Sequence, residues 1–337
     1  MNVCKRCVLN DNIASVRINE EGVCNYCERE NSANHGATSP DYARKSRLLA
    51  EAADSFRDRD YQVLLAYSGG KDSTYALHML RKQYGFSVLA VTFDNGFLND
   101  QCRRNMHAAT TALDVDHLVI KPSFANLAKV FDAAGKLDIF PGKALERASS
   151  ICTACIGLIK SAIYKEAMLR RIPYISFGWT PGQVLPKSSV VRLDRSMILA
   201  NQRQIKEPLV RLFGLGMGKY FIDDDWMEER QADIPAQIYP LVFGLYDEEL
   251  ILDTIRTIGW RKPEDTDTNS TNCLLNAYAN DIHMKRYGFN PYSLEIAALV
   301  RSGSMTREEG MRRLMKPGDE RIIGEVKQVI GQACNPN

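Results

Sequence analysis

The sequence predicts an α/β fold: a doubly wound parallel five-stranded sheet, with a cysteine-rich unit before it and a helical C-terminal part after it. Three observations carry this. Short continuous apolar runs, the mark of strands buried on both faces, alternate with segments of helical period. The first run ends in a Ser-Gly-Gly turn that opens a helix. Two Cys-x2-Cys pairs stand near the N-terminus, separated from the rest by a polar stretch.

In chain order, residues 1–30 form the cysteine unit, with a turn at Asn19-Glu20-Glu21-Gly22. Asn31 to Pro40 is rich in Ser, Asn, Gly and Ala and reads as a linker. Tyr42 to Arg57 is helical, with Leu48, Leu49, Ala52 and Phe56 at three- and four-residue steps. Gln62–Tyr67 is a first strand and Ser73 to about Tyr84 its helix; Ser87–Phe93 is a second strand, followed by a helix near Asp100–Leu113. His117–Ile120 is a third, with a helix at Phe124–Ala134, and a helix over Cys155–Arg171 leads into strand Tyr174–Phe177. Such alternation demands right-handed crossovers and hence parallel strands. Beyond residue 190 the pattern weakens, leaving helices at Glu248–Ile258, Ser293–Val300 and after Thr306, whose capping box ends at Glu309. The expected units are 1–30, 31–58 (linker and helix), 59–200 (the sheet domain) and 201–337 (mainly helical).

Composition bounds the class. The chain has 337 residues, 45% hydrophobic and 25% charged, with a net charge of +2. Disorder, collagen and coiled coil are excluded, and nothing global draws the chain to nucleic acid. The N-terminus lacks the apolar stretch of a signal peptide, and no run is long enough to cross a bilayer. A cytoplasmic protein is expected. Nine cysteines then point to metals or reactive thiols rather than disulfides.

Cys4-x2-Cys7-x16-Cys24-x2-Cys27 has the spacing of two knuckles converging on one tetrahedral ion. Four thiolates leave no open position for chemistry, so a structural zinc is expected. A DNA-binding finger is disfavoured, because Val8–Val23 contains one arginine, Arg17, and no basic helix.

Ser68-Gly69-Gly70-Lys71-Asp72-Ser73-Thr74 lies between a strand and a helix. Glycines let backbone N–H groups curl around an anion, and the helix N-terminus adds partial positive charge. The Walker A spacing is absent. The Ser-Gly-Gly-x-Asp-Ser pattern resembles the PP-loop ATP pyrophosphatases, whose sheet is of the adenine nucleotide alpha hydrolase-like kind. The resemblance implies that ATP, with Mg2+, is split between its α- and β-phosphates over Ser68–Thr74. It also implies that adenosine lies against Phe93, Asp94 and Asn95, and that Gly178 belongs to the site. Lys71 and Asp72 are the catalytic candidates, with Arg147 as a helper. In Phe177-Gly178-Trp179-Thr180-Pro181-Gly182-Gln183 the sequence departs from the family, which carries Gly-His and a downstream Asp pair there.

Cys152-x2-Cys155 resembles the cysteine segment of PP-loop tRNA thiolation enzymes. In these, two cysteines and a distant third hold a [4Fe-4S] cluster with one iron open. The order Ile238-Tyr239-Pro240-Leu241, Glu248-Glu249-Leu250-Ile251, Gly259-Trp260, Cys273 makes Cys273 the third ligand under this resemblance. The residues alone leave other readings: buried core cysteines, a redox dithiol, or a nucleophile pair. Cys102, just after the second strand, is a second candidate sulfur carrier, and Cys334 is expected to be inert.

The ends of the chain resemble a different group. Cys4-Lys-Arg-Cys7-Val8, Glu21-Gly22-Val-Cys24-Asn-Tyr-Cys27 and Gly303-Ser-Met-Thr306-Arg307-Glu308-Glu309-Gly310 are similar to the N-acetyl sugar amidotransferases. These PP-loop enzymes take ammonia from a partner glutaminase. Both resemblances imply one mechanism: ATP adenylates a carbonyl or amide oxygen, and sulfur or ammonia displaces AMP. A non-catalytic nucleotide-binding zinc adaptor is the third reading, disfavoured by the intact Ser68–Thr74 loop. The partners expected are a small-molecule substrate or a nucleobase, a sulfur-donor protein or a glutaminase, and a second copy in a homodimer. For tRNA the candidate contacts are Arg103-Arg104, Arg170-Arg171 and Arg312-Arg313, dispersed charges that ordinarily form a solvated face. A membrane is not expected.

Overall fold

The computed structural model describes residues 1–34, 42–184, 188–242, 244, 246–266 and 269–335. Its centre is a six-stranded sheet in the order β3-β2-β1-β4-β6-β5. The strands are β1 (Val63–Ala66), β2 (Val88–Phe93), β3 (Asp116–Ile120), β4 (Tyr174–Phe177), β5 (Val190–Val191) and β6 (Ala236–Ile238). Five are parallel, as the sequence predicts; β5 adds a two-residue antiparallel edge on β6. All six residues of β2 and all four of β4 are buried, which is why these strands are written as unbroken apolar runs. Leu64 and Leu65 of β1 and Leu77 of the following helix are fully enclosed. Cutting any one of them to Ala would cost about 2–5 kcal/mol.

The sheet reverses direction of growth at β1, which pairs with β2 on one side and β4 on the other. Ala66 is level with Val91 and with Phe177, so the loops after β1, β2 and β4 open at the same edge. Open parallel sheets hold ligands in the crevice at such a switch point.

Several boundaries differ from expectation. The helix Asn25–Asn34 runs into the expected linker, whose residues 35–40 lie outside the described residues. The first crossover helix begins at Lys71 rather than Ser73 and ends in a π-helical turn, Met79–Gln83. The helix expected from Cys155 begins earlier, at Ser150, because Ser149 caps it by accepting from the Cys152 N–H at 3.1 Å. Both Cys152 and Cys155 therefore sit inside it, three residues apart and on one face. The expected domain boundary at residue 200 is crossed by the sheet itself, since β6 lies beyond it. The helix Arg195–Phe213 spans that boundary too. Among the described residues, no helix is long and apolar enough to cross a membrane.

Candidate active site

The loop after β1 makes its turn at Gly69, whose φ of +67° favours glycine; a Cβ there would also fall 2.7 Å from the Cys102 sulfur. Ser73 and Thr74 hydroxyls fold back onto the Gly70 carbonyl at 3.1 and 2.8 Å, and Ser68 Oγ lies 3.0 Å from Ser73 Oγ. Gly178, entering from β4, comes so close that a Cβ would lie 2.6 Å from the Ser73 backbone. The loops after β1 and β4 thus form one wall.

That wall belongs to a cavity of about 680 Å³. Ser68, Gly70, Lys71, Asp72, Ser73, Phe93, Asn95 and Gly178 line it, together with Arg147 and all three of Cys152, Cys155 and Cys273. Four expected site residues do not. Gly69 turns its carbonyl to the Trp260 indole N–H at 3.1 Å, and Thr74 is buried beneath the loop against Tyr67. Asp94 is 3% exposed; it caps the Gly96 N–H and pairs with Arg103. Cys102, expected as a sulfur carrier, is the fourth residue away from the cavity. It is fully buried under the loop, its sulfur bonded to the Ser68 carbonyl at 2.9 Å, and burial pushes its thiol up to about 12. A thiol so placed is a packing residue rather than a sulfur carrier.

The far wall comes from the C-terminal part, which sequence reasoning largely missed. Lys71 Nζ bonds Tyr246 Oη at 2.5 Å and Glu248 at 3.0 Å, and Tyr246 donates to Asp72 at 2.5 Å. Arg313 braces Glu248 at 2.6 Å. The Lys71 backbone N–H donates to Thr271 Oγ1 at 3.0 Å, so a hydroxyl from the C-terminal part occupies one of the N–H groups that open the helix. Glu295 reaches the cavity from the helix Ser293–Arg301 and accepts from the Thr180 hydroxyl at 2.9 Å. Burial pushes its carboxyl up to about 7; Thr180 opposes this and Asp72 adds to it. One signal was available: a lone acid in the apolar run Ser293-Leu-Glu295-Ile-Ala-Ala-Leu-Val300.

Cys273 is brought to the cavity because it bridges to Leu98 and the Leu274 N–H bonds the Phe97 carbonyl at 2.9 Å. This pins the third cysteine to the loop after β2. Asn95 Nδ2 lies 3.6 Å from Cys155 Sγ and 3.4 Å from Cys273 Sγ, and Asn276 Nδ2 lies 3.7 Å from Cys152 Sγ. Burial raises the Cys155 and Cys273 thiols, and Asn95 opposes it in both.

The N-terminal cysteines form a separate centre. The sulfurs of Cys4, Cys7, Cys24 and Cys27 lie within 4.8 Å of one another and are buried; among the described residues no other group of three or more metal-type ligands is so tight. Cys7–Cys24 and Cys4–Cys27 stand at 3.6 and 3.9 Å. A tetrahedral ion with bonds of about 2.3 Å needs an edge near ~3.8 Å, so the set fits zinc. Arg307 clamps this unit to the C-terminal helices, donating to the Cys4 carbonyl at 3.1 Å and the Cys7 carbonyl at 3.0 Å.

No protein-family model matches the chain. An uncharacterized protein of Methanocaldococcus jannaschii is 25% identical over 257 residues, spanning 76% of this chain and 73% of its own. Among solved structures, the U34-tRNA thiolase of Methanococcus maripaludis with its [4Fe-4S] cluster is similar at TM-score 0.37 and 13% identity, over 98% of this chain and 89% of that one. An NH3-dependent NAD synthetase of Campylobacter jejuni is similar at TM-score 0.32 and 14% identity, over 74% and 97%.

Proposed function

We propose that the chain is an ATP-dependent enzyme of the PP-loop kind that adenylates a carbonyl or amide oxygen and replaces that oxygen with sulfur. The observation that carries this is one cavity lined by both the Ser68–Ser73 loop and Cys152, Cys155 and Cys273. An activating site and a sulfur site need to share a chamber, because an adenylated intermediate exposed to water hydrolyses.

The substrate oxygen attacks the α-phosphorus, a P–O bond forms, the bond to the β-phosphate breaks, and pyrophosphate leaves. The N-terminus of the helix Lys71–His78 stabilises charge growing on the α-phosphate. Lys71 is held by Tyr246 and Glu248 and so reaches the phosphates from a fixed position. Mg2+ would accompany the nucleotide, and Asp72, the one carboxylate of the Ser68–Thr74 loop, would be available to hold it. Cys152, Cys155 and Cys273 are the thiols on the cavity wall that would hold an iron–sulfur cluster. A [4Fe-4S] cluster on them would supply an open iron for exogenous sulfide. Sulfur then attacks the activated carbon and AMP departs with the oxygen.

Nitrogen transfer is the second reading, and Glu295 favours it. Ammonia must shed a proton on attack, and a carboxyl that burial raises to about 7 on the cavity wall is suited to take it. The substrate is a small molecule or a nucleobase in either case.

The test is anaerobic incubation with ATP, Mg2+ and sulfide or ammonium, supplied with a low-molecular-weight extract or with bulk tRNA. AMP and pyrophosphate in equal amounts, abolished by Ser73→Ala, support the reading. ADP and orthophosphate refute it.

A further inference from the structure

Asn95 lies in the loop expected to hold adenosine, yet its side chain is fully engaged elsewhere. Its Oδ1 accepts from the Phe97 N–H at 3.0 Å. A backbone N–H is only a donor, so this bond fixes which end of the carboxamide is oxygen. Nδ2 must then face the cavity, where it meets Cys155 at 3.6 Å and Cys273 at 3.4 Å. These sulfurs come from the helix Ser150–Leu169 and from the segment bridged to Leu98, with no shared backbone between them. Asn276 serves the third sulfur: Nδ2 lies 3.7 Å from Cys152 and 2.9 Å from Tyr292 Oη, while its Oδ1 accepts from Asn280 at 2.9 Å. Each of the three sulfurs thus has an amide N–H beside it.

We propose that Asn95 and Asn276 are positioning residues of the three-cysteine site, donating to all three sulfurs and setting the electronic state of whatever iron the sulfurs hold. The proposal rests on the three-cysteine reading above. Two kinds of consequence follow. Geometrically, the Asn95 amide ties two thiols from distant parts of the chain to one point. Electronically, an N–H bond to a ligating sulfur withdraws charge from it, which raises the reduction potential of an iron–sulfur centre. Because Asn95 is anchored through Phe97, a movement of the loop after β2 would reach two of the three sulfurs directly.

The experiment compares the full-length protein with its Asn95→Asp and Asn276→Asp variants. Aspartate still accepts from the Phe97 N–H, so the turn is kept while the donor to sulfur is replaced by an acceptor. Each protein is reconstituted anaerobically with ferrous iron and sulfide, assayed for iron, and titrated with detection by electron paramagnetic resonance. The expected result is a lower reduction potential than wild type, or a several-fold loss of iron, in both variants. Wild-type potential and iron content in both overturn the proposal. If wild type itself binds no iron, the cluster reading fails separately, and dibromobimane cross-linking of Cys155 to Cys273 decides the inference. A several-fold lower cross-link yield in Asn95→Asp upholds it, and an equal yield overturns it.

Discussion

Lys71 of the Ser68–Thr74 loop and Glu248, 177 residues further on, form an ion pair at 3.0 Å across the cavity. This contact joins the sheet to the C-terminal part at the point where the nucleotide is expected to bind. Their side chains are 10% and 28% exposed, so solvent screens the pair only in part. Glu248→Gln should destabilise the fold by about 1.5–3 kcal/mol, the worth of a hydrogen bond to a charged group. Burial pushes the Glu248 carboxyl up, but Lys71 and Arg313 outweigh it and hold the group below its ordinary value. A depressed carboxylate contributes stability above its unfolded pKa and loses it as pH falls through the folded one. The gap between wild type and Glu248→Gln, read by thermal melting, should therefore close in acid.

The knuckle is expected to act on the active site at a distance. Its core packs against Phe289, Leu294, Ile296 and Leu314, on or beside the helices that carry Glu295 and Arg313. Cys24→Ser should lose the zinc, measured by metal analysis, and should speed amide hydrogen exchange over residues 293–315. Full zinc retention by this variant would contradict the ligand set. Arg307→Ala, which keeps all four cysteines, should retain zinc and still show the faster exchange.

Glu295 gives a pH signature of opposite sign. Its carboxyl is raised to about 7, so between its ordinary value near 4.5 and about 7 the folded state holds a proton the unfolded state has lost. Stability from this group is present at low pH and is lost as pH rises through 7. The loss is at most about 3 kcal/mol, reduced because the carboxyl faces the cavity. Glu295→Gln, which keeps an acceptor for Thr180, should melt higher than wild type at pH 8 and equally at pH 5.

His283 reports on acid stability. It is 1% exposed, and among the described residues neither ring nitrogen has a hydrogen-bond partner. Burial, with Arg286 adding to it, pushes its pKa from 6.5 down to about 4. In that window the unfolded state binds the proton and the folded state does not, so stability falls with pH by up to about 3 kcal/mol. His283→Phe, which keeps the ring against Tyr287 and Phe289, should flatten melting temperature between pH 7 and pH 4.

The first four parallel strands were legible because burial on both faces writes an unbroken apolar run. β6 was not, since Ala236-Gln237-Ile238 is short and polar at its centre, and β5 has only two residues. The helix Arg195–Phe213 was hidden by Pro208 in its interior. The knuckle and the phosphate loop were readable because their chemistry is local and spacing encodes it. Tyr246, Thr271 and Glu295 were not, because their roles exist only where distant segments meet. Asn95 was expected against adenosine; the contacts of its amide with Cys155 and Cys273 arise from distant segments and have no signature in the spacing.

The central claim is the shared chamber. Its most direct test is the iron and acid-labile sulfide content of anaerobically purified protein beside Cys152→Ser, Cys155→Ser and Cys273→Ser. The account predicts about four iron and about four sulfide per wild-type chain, lost in each variant while zinc is kept. Wild-type protein without iron, or iron that survives all three substitutions, would contradict it.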